Sequence, residues 1–131
     1  MPPFLFNREL DYQFLDAKFS NDLYLARDVI GSFCETLDME LGIIESALEQ
    51  ERYAAFLRVS KRLTPVMEVM GLTAEIQSVH QLRSHFALNG VSEMFKKGAT
   101  SLTYRLSELN SLFLIEQQRL EMHLEQRLRH S

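Results

Sequence analysis

Apolar side chains recur every three or four residues along most of the chain, the spacing of one face of an α-helix. A short group of them lies between Leu10 and Phe19. A long stripe follows from Ala26 to Leu48 and a second from Phe56 to Met70. A third stripe runs from Ile76 to Phe86, and a fourth from Leu102 to Leu128. The pattern predicts a short leading helix followed by four long ones.

Residues that start and stop helices lie between these stripes. Asp22 and Ser92 can accept hydrogen bonds from the free backbone N–H groups at a helix start. Gly71 and Gly90 suit the left-handed conformation that often ends a helix, and a polar cluster at 49–52 separates the first two long stripes. Four long helices with short connections predict an all-α, antiparallel up-and-down four-helix bundle. We expect one domain over 1–131, with a core at about 10–118 and a helical extension at 119–131.

The composition excludes several classes of protein. The 131 residues suit a single domain. The net charge is −4, from 14 basic and 18 acidic residues without a strongly basic block, so we expect no nucleic-acid partner. No run of about 18 apolar residues and no signal-peptide-like start occurs. We therefore expect a soluble cytoplasmic protein with no membrane partner.

Residue patterns for catalysis or metal binding are missing. The sequence has no phosphate-cradling glycine loop, no Gly-x-Ser-x-Gly elbow and no paired cysteines. His80 and His85 lie five residues apart, about 140° round a helix, so they do not share a face. Cys34 follows Phe33 on a core stripe and is predicted to be a small buried hydrophobe. We expect no metal site, no cofactor and no enzymatic activity.

Several short motifs follow one another from the leading helix into the second long helix. They read Tyr12-x-x-Leu15, Asn21-Asp22-Leu23 and Val29-Ile30-x-x-Phe33-x-x-x-Leu37, followed by a polar turn and then by Leu63 and Gly71. This order resembles the histidine phosphotransfer (HPt) domain of bacterial phosphorelays over roughly residues 10 to 118. In that family a His-x-Leu-Lys-Gly motif follows the turn, with another glycine ten residues after the histidine.

The residues that carry the family's chemistry are replaced in this frame. Lys61 falls on the histidine, Thr64 on the lysine and Pro65 on the first glycine. A lysine ammonium has no lone pair with which to accept a phosphoryl group, and Thr64 carries no charge to hold phosphate. Pro65 has no N–H to donate to the Lys61 carbonyl. The resemblance therefore implies a degenerate member, a pseudo-HPt protein that does not relay phosphate.

HPt domains use this helix face to bind their partners. The resemblance implies docking of a response-regulator receiver domain or a histidine kinase, and an ammonium suits the cluster of carboxylates in a receiver's phosphorylation pocket. We expect the leucine and proline of the face to be exposed beside the ammonium. The predicted partner-binding residues are Leu57, Lys61, Arg62, Thr64, Pro65 and Glu68.

Two alternatives remain open. Val79-His80-Gln81-Leu82-Arg83, with Gly90 ten residues after His80, also fits the HPt motif. His80 would then be an active phosphoacceptor. Alternatively the chain is a helical dimerisation or interaction module unrelated to phosphorelays. Under any of these interpretations, the C-terminal helix would pair with a second copy or with a partner helix through Leu120, Leu124 and Leu128, or would form a frayed amphipathic end.

Overall fold

Residues 3–129 of the chain are described by a computed structural model, and within them every regular element is a helix. The helices are α1 (Tyr12–Phe19), α2 (Leu23–Glu49), α3 (Tyr53–Val69), α4 (Thr73–Asn89) and α5 (Glu93–Arg129). The all-α prediction is confirmed, and each predicted stripe lies on one of these helices.

The predicted caps account for several helix boundaries. The Asp22 carboxylate accepts the Leu25 N–H at 3.0 Å, and the Ser92 hydroxyl accepts the Phe95 N–H at 3.1 Å. The Asp11 carboxylate does the same for the Phe14 N–H at the start of α1. These bonds satisfy donors that have no partner inside the helix.

Each of the four long helices packs against two of the others. α2 contacts α3 and α5, and α4 also contacts α3 and α5, while α1 contacts α2. The core between them is apolar and includes Phe19, Phe33, Phe56, Phe95 and Phe113, all buried. Because α3 has neighbours on both flanks, a wide arc of its surface is buried.

Gly71 forms the turn between α3 and α4 in the left-handed conformation, with φ +70°. A Cβ at this position would lie only 2.6 Å from the Phe14 ring of α1. The Lys18 ammonium of α1 also donates to the Val69 carbonyl, at 2.6 Å, near the end of α3. Contacts with α1 therefore fix the end of α3.

The segment before α1 lies along the C-terminal half of α5, which the sequence did not predict. The Asn7 N–H donates to the Glu116 carboxylate at 2.6 Å, and Glu116 is fully buried. Arg119 forms an ion pair with Glu116, donates to the Leu5 carbonyl at 2.9 Å and lies over the Phe4 ring. Residues 4–7 thus cover α5 where the core was predicted to end.

α5 continues to Arg129, as the predicted helical extension at 119–131 requires, but the predicted core bounds of about 10–118 are too narrow. Leu120 and Leu124 are buried in the core of this chain, and Leu128 is exposed. Residues 130–131 lie outside the described part. Two of the three leucines proposed to pair with a second copy are already covered, because the N-terminal segment and α2 extend the core along α5.

Candidate protein-interaction face

Lys61 lies at the middle of α3, with its side chain exposed. Within residues 3–129 neither Lys61 nor Arg58, three residues earlier, takes part in an ion pair. α3 carries three basic side chains and one acidic one, Glu68, in a chain whose net charge is −4. The outer face of α3 is therefore locally positive.

Thr64 and Pro65 form a structural pair beside Lys61. Pro65 lies inside α3 and has no N–H for the Lys61 carbonyl. The Thr64 hydroxyl donates to that carbonyl at 2.7 Å and replaces the missing backbone bond. Pro65 is exposed and Thr64 is half-buried. The Thr64 hydroxyl thus compensates for the backbone hydrogen bond that Pro65 removes from α3.

Leu57 does not belong to the exposed face, and this prediction was wrong. Its side chain is only 7% exposed and joins the apolar core. Arg62 marks the flank of α3 turned to α2, and Leu57 lies about 140° round the helix from it. Leu57 therefore falls within the wide arc of α3 that its packed neighbours bury. Of the other five predicted residues, Thr64 is half-buried and four are exposed: Lys61, Arg62, Pro65 and Glu68.

Arg62 links α3 to α2 through an ion pair. Its guanidinium donates to the Glu40 carboxylate at 2.7 Å, and its own side chain remains 57% exposed. Next to Glu40 on α2 lie two large apolar side chains that are exposed, Met39 at 63% and Ile43 at 45%. Sequence reasoning missed them, although apolar residues four apart outside the core stripe were the available signal.

His80 lies on the other flank of the same face. His80 is exposed on α4, nine residues after Gly71, and Lys61 lies ten residues before Gly71. α3 and α4 pack together and are joined by residues 70–72, so they run in opposite directions. At 1.5 Å per residue both side chains lie about 14 to 15 Å from the connection. On α4, Gln81 and His85 face α5, which leaves His80 on the α3 side.

Metal ligands and a reactive thiol are both missing from this face within residues 3–129. Within residues 3–129 no three His, Cys, Asp or Glu side chains are grouped to hold a metal ion. Cys34 is buried as predicted, and burial together with the charge of Asp38 raises the pKa of its thiol to about 11. Cys34 is therefore a neutral thiol at physiological pH and not a nucleophile.

A groove of about 510 Å³ lies elsewhere, between α4 and α5. Leu82, Phe95 and Leu102 contribute its apolar lining, and the Glu75 carboxylate accepts from the Arg105 Nε at 3.1 Å at its wall. Leu82 belongs to the motif around His80, and no sequence motif marked the other residues named here. The predicted site residues do not line this groove.

Within the described part of the chain, no helix is both long and apolar enough to cross a membrane. No family model matches the chain, and no curated protein or solved structure matches it either.

Proposed function

We propose that this chain is a non-catalytic adaptor with an HPt-like antiparallel four-helix bundle. In this proposal it works in the cytoplasm and docks a response-regulator receiver domain or a histidine kinase without relaying phosphate. The observation that carries the proposal is Lys61: an exposed ammonium without an ion pair, at the middle of α3, in the position of the HPt histidine. Leu63 and Gly71 support the frame, since Leu63 is buried and Gly71 ends α3 with φ +70°.

Electrostatics favours an acidic partner. Arg58 and Lys61 are exposed and have no acidic partner among residues 3–129, so their attraction for external carboxylates is uncompensated. Complementary charge at an interface speeds association and selects partners. A lysine on a flexible stem can enter a pocket of carboxylates as a compact cation. A receiver whose pocket is filled in this way is held but receives no phosphoryl group.

The test is to measure, by isothermal titration calorimetry, how tightly the protein binds purified receiver domains from the same genome. Lys61→Ala should weaken binding about 10- to 100-fold, the loss expected when one member of a desolvated charge pair is removed. Lys97→Ala removes the same charge from an exposed position on α5 and should leave the affinity unchanged. Equal affinities of the two variants would contradict the role of Lys61. Leu57→Asp is unsuitable as a test because Leu57 is buried.

A second candidate function is phosphotransfer through His80. The observation in its favour is position: His80 is exposed and lies level with Lys61 on the same face. An imidazole nitrogen would attack the phosphorus of an aspartyl phosphate, the bond from phosphorus to the acyl oxygen would break, and the receiver carboxylate would leave. Radiolabel on the protein that is absent from His80→Ala would favour this function over the adaptor.

A further inference from the structure

The groove between α4 and α5 is open because both helices line it with short side chains. The two helices approach closely at one point, since a Cβ on Gly98 would lie 2.7 Å from the Leu82 side chain. Beside this contact the short side chains leave a space of about 510 Å³, a volume typical of small-molecule sites. The short residues are Ala74 and Ser78 on α4, and Gly98 and Ser101 on α5.

The Glu75 carboxylate is nearly buried in the groove and has one oxygen without a hydrogen bond. Glu75 lines the groove and is only 8% exposed. Its Oε1 accepts from the Arg105 Nε at 3.1 Å, whereas its Oε2 accepts no hydrogen bond from residues 3–129. A carboxylate that is largely withdrawn from water is stabilised by each hydrogen bond that it accepts. The Oε2 atom therefore favours a ligand that carries a hydrogen-bond donor.

The charges beside Glu75 favour a cationic donor. The Arg105 guanidinium also pairs with Glu108, so one positive group faces two carboxylates and one negative charge is uncompensated. His85, the other titratable residue that lines the groove, lies ten residues after Glu75, about 15 Å along α4, and is bonded to Ser92. The end of the groove at Glu75 is therefore locally negative.

The rest of the lining is suited to an apolar body. The side chains of Leu82, Phe95 and Leu102 line the groove and belong to the core of the bundle. Leu82 lies seven residues after Glu75, about 10 Å along α4. The groove thus combines one anionic end with an apolar stretch about 10 Å long.

We propose that the groove binds a small amphipathic cation, an alkylamine or arylalkylamine with one protonated nitrogen. The nitrogen donates to the Glu75 Oε2, and the apolar body of the ligand covers Leu82, Phe95 and Leu102. A single open acceptor atom and one uncompensated charge suit a ligand with one head group. This binding function goes beyond the adaptor proposal, because none of the predicted docking residues lines the groove.

The test is an NMR titration of the isotope-labelled chain with octylamine and with octanoate, which has a similar tail and the opposite charge. Octylamine should bind about tenfold more tightly than octanoate, the gain expected from one charge-assisted hydrogen bond. It should shift the backbone amide signals of Gly98 and Leu102, which line the groove.

Two pairs of variants locate the head group and the tail, and their spectra show that each variant is folded. Glu75→Gln should reduce the preference for octylamine to less than about twofold, whereas Glu121→Gln removes a charge from an exposed position of α5 and should leave the preference unchanged. Ser101→Phe should fill the groove and weaken octylamine binding about tenfold or more, whereas Ser111→Phe, at an exposed serine of α5 outside the groove, should bind octylamine normally.

Four outcomes would overturn the proposal. Octylamine would bind no more tightly than octanoate, or its preference would survive Glu75→Gln. Octylamine would bind Ser101→Phe as it binds the unaltered protein, which would place it outside the groove. A short apolar peptide with one lysine would bind more tightly than octylamine, which would assign the groove to a protein partner instead of a small amine.

Discussion

The Thr64 hydroxyl should stabilise α3 only because Pro65 follows it. In the structure this hydroxyl donates to the Lys61 carbonyl at 2.7 Å, the acceptor that Pro65 leaves without its backbone donor. A net hydrogen bond contributes about 1 kcal/mol to stability. Thr64→Val keeps the shape and has almost the same helix propensity. The substitution should therefore lower the free energy of unfolding by about 1 kcal/mol. The corresponding decrease in Tm is about 3 to 5 °C.

The Pro65→Ala background supplies the decisive comparison. Alanine restores an N–H at position 65, so the Lys61 carbonyl regains its backbone partner and the Thr64 hydroxyl becomes redundant. Thr64→Val should then cost less than about 0.3 kcal/mol, giving a coupling energy of about 0.7 to 1 kcal/mol. Urea unfolding of the four proteins measures this cycle, and Thr64→Ser, which keeps the hydroxyl, is the control. Equal costs in the two backgrounds would refute the compensation.

Three further predictions concern stability and the thiol. Arg119→Ala removes the cation from fully buried Glu116 and should cost about 2 to 3 kcal/mol in urea unfolding. As the control, Arg129→Ala breaks an exposed ion pair and should cost under about 0.5 kcal/mol. If Arg119→Ala costs no more than Arg129→Ala, Arg119 does not hold the N-terminal segment and Glu116 together on α5. Gly71→Ala should cost about 2 kcal/mol or more, since it combines positive φ with a clash against Phe14; a cost below about 0.5 kcal/mol would contradict that packing. Cys34 should resist a thiol reagent in the native protein and react at once in urea. Because the pKa of the native Cys34 thiol is about 11, the unfolded chain loses this proton first, so the Cys34 contribution to stability should fall as pH rises from about 9 to 11. Fast labelling of Cys34 in the native protein would contradict its burial, and a stability that does not change between pH 9 and 11 would contradict its raised pKa.

Local signals in the sequence were sufficient to predict the helices. Asp22, Ser92 and Gly71 act at helix ends through bonds to residues a few positions away, and those bonds occur where the spacing predicts them. The apolar stripes also lie where periodicity places them. This part of the fold depends on interactions that repeat along one helix, which a sequence displays directly.

Contacts between distant segments were not visible in the sequence. The N-terminal segment reaches Glu116 across more than a hundred residues, and no periodicity links the two. Leu57 was placed on the exposed face because periodicity gives the centre of a buried arc but not its width, which here is set by neighbours on both flanks of α3. Met39 and Ile43 were missed for the related reason that their exposure depends on which helices surround α2.

Receivers that carry a radiolabelled aspartyl phosphate distinguish binding from phosphoryl transfer. The protein is mixed with them, complexes are isolated on a sizing column, and the label is assigned to each chain after denaturation. We expect a complex in which all label remains on the receiver. Label on this chain that is lost in His80→Ala would contradict binding without phosphoryl transfer.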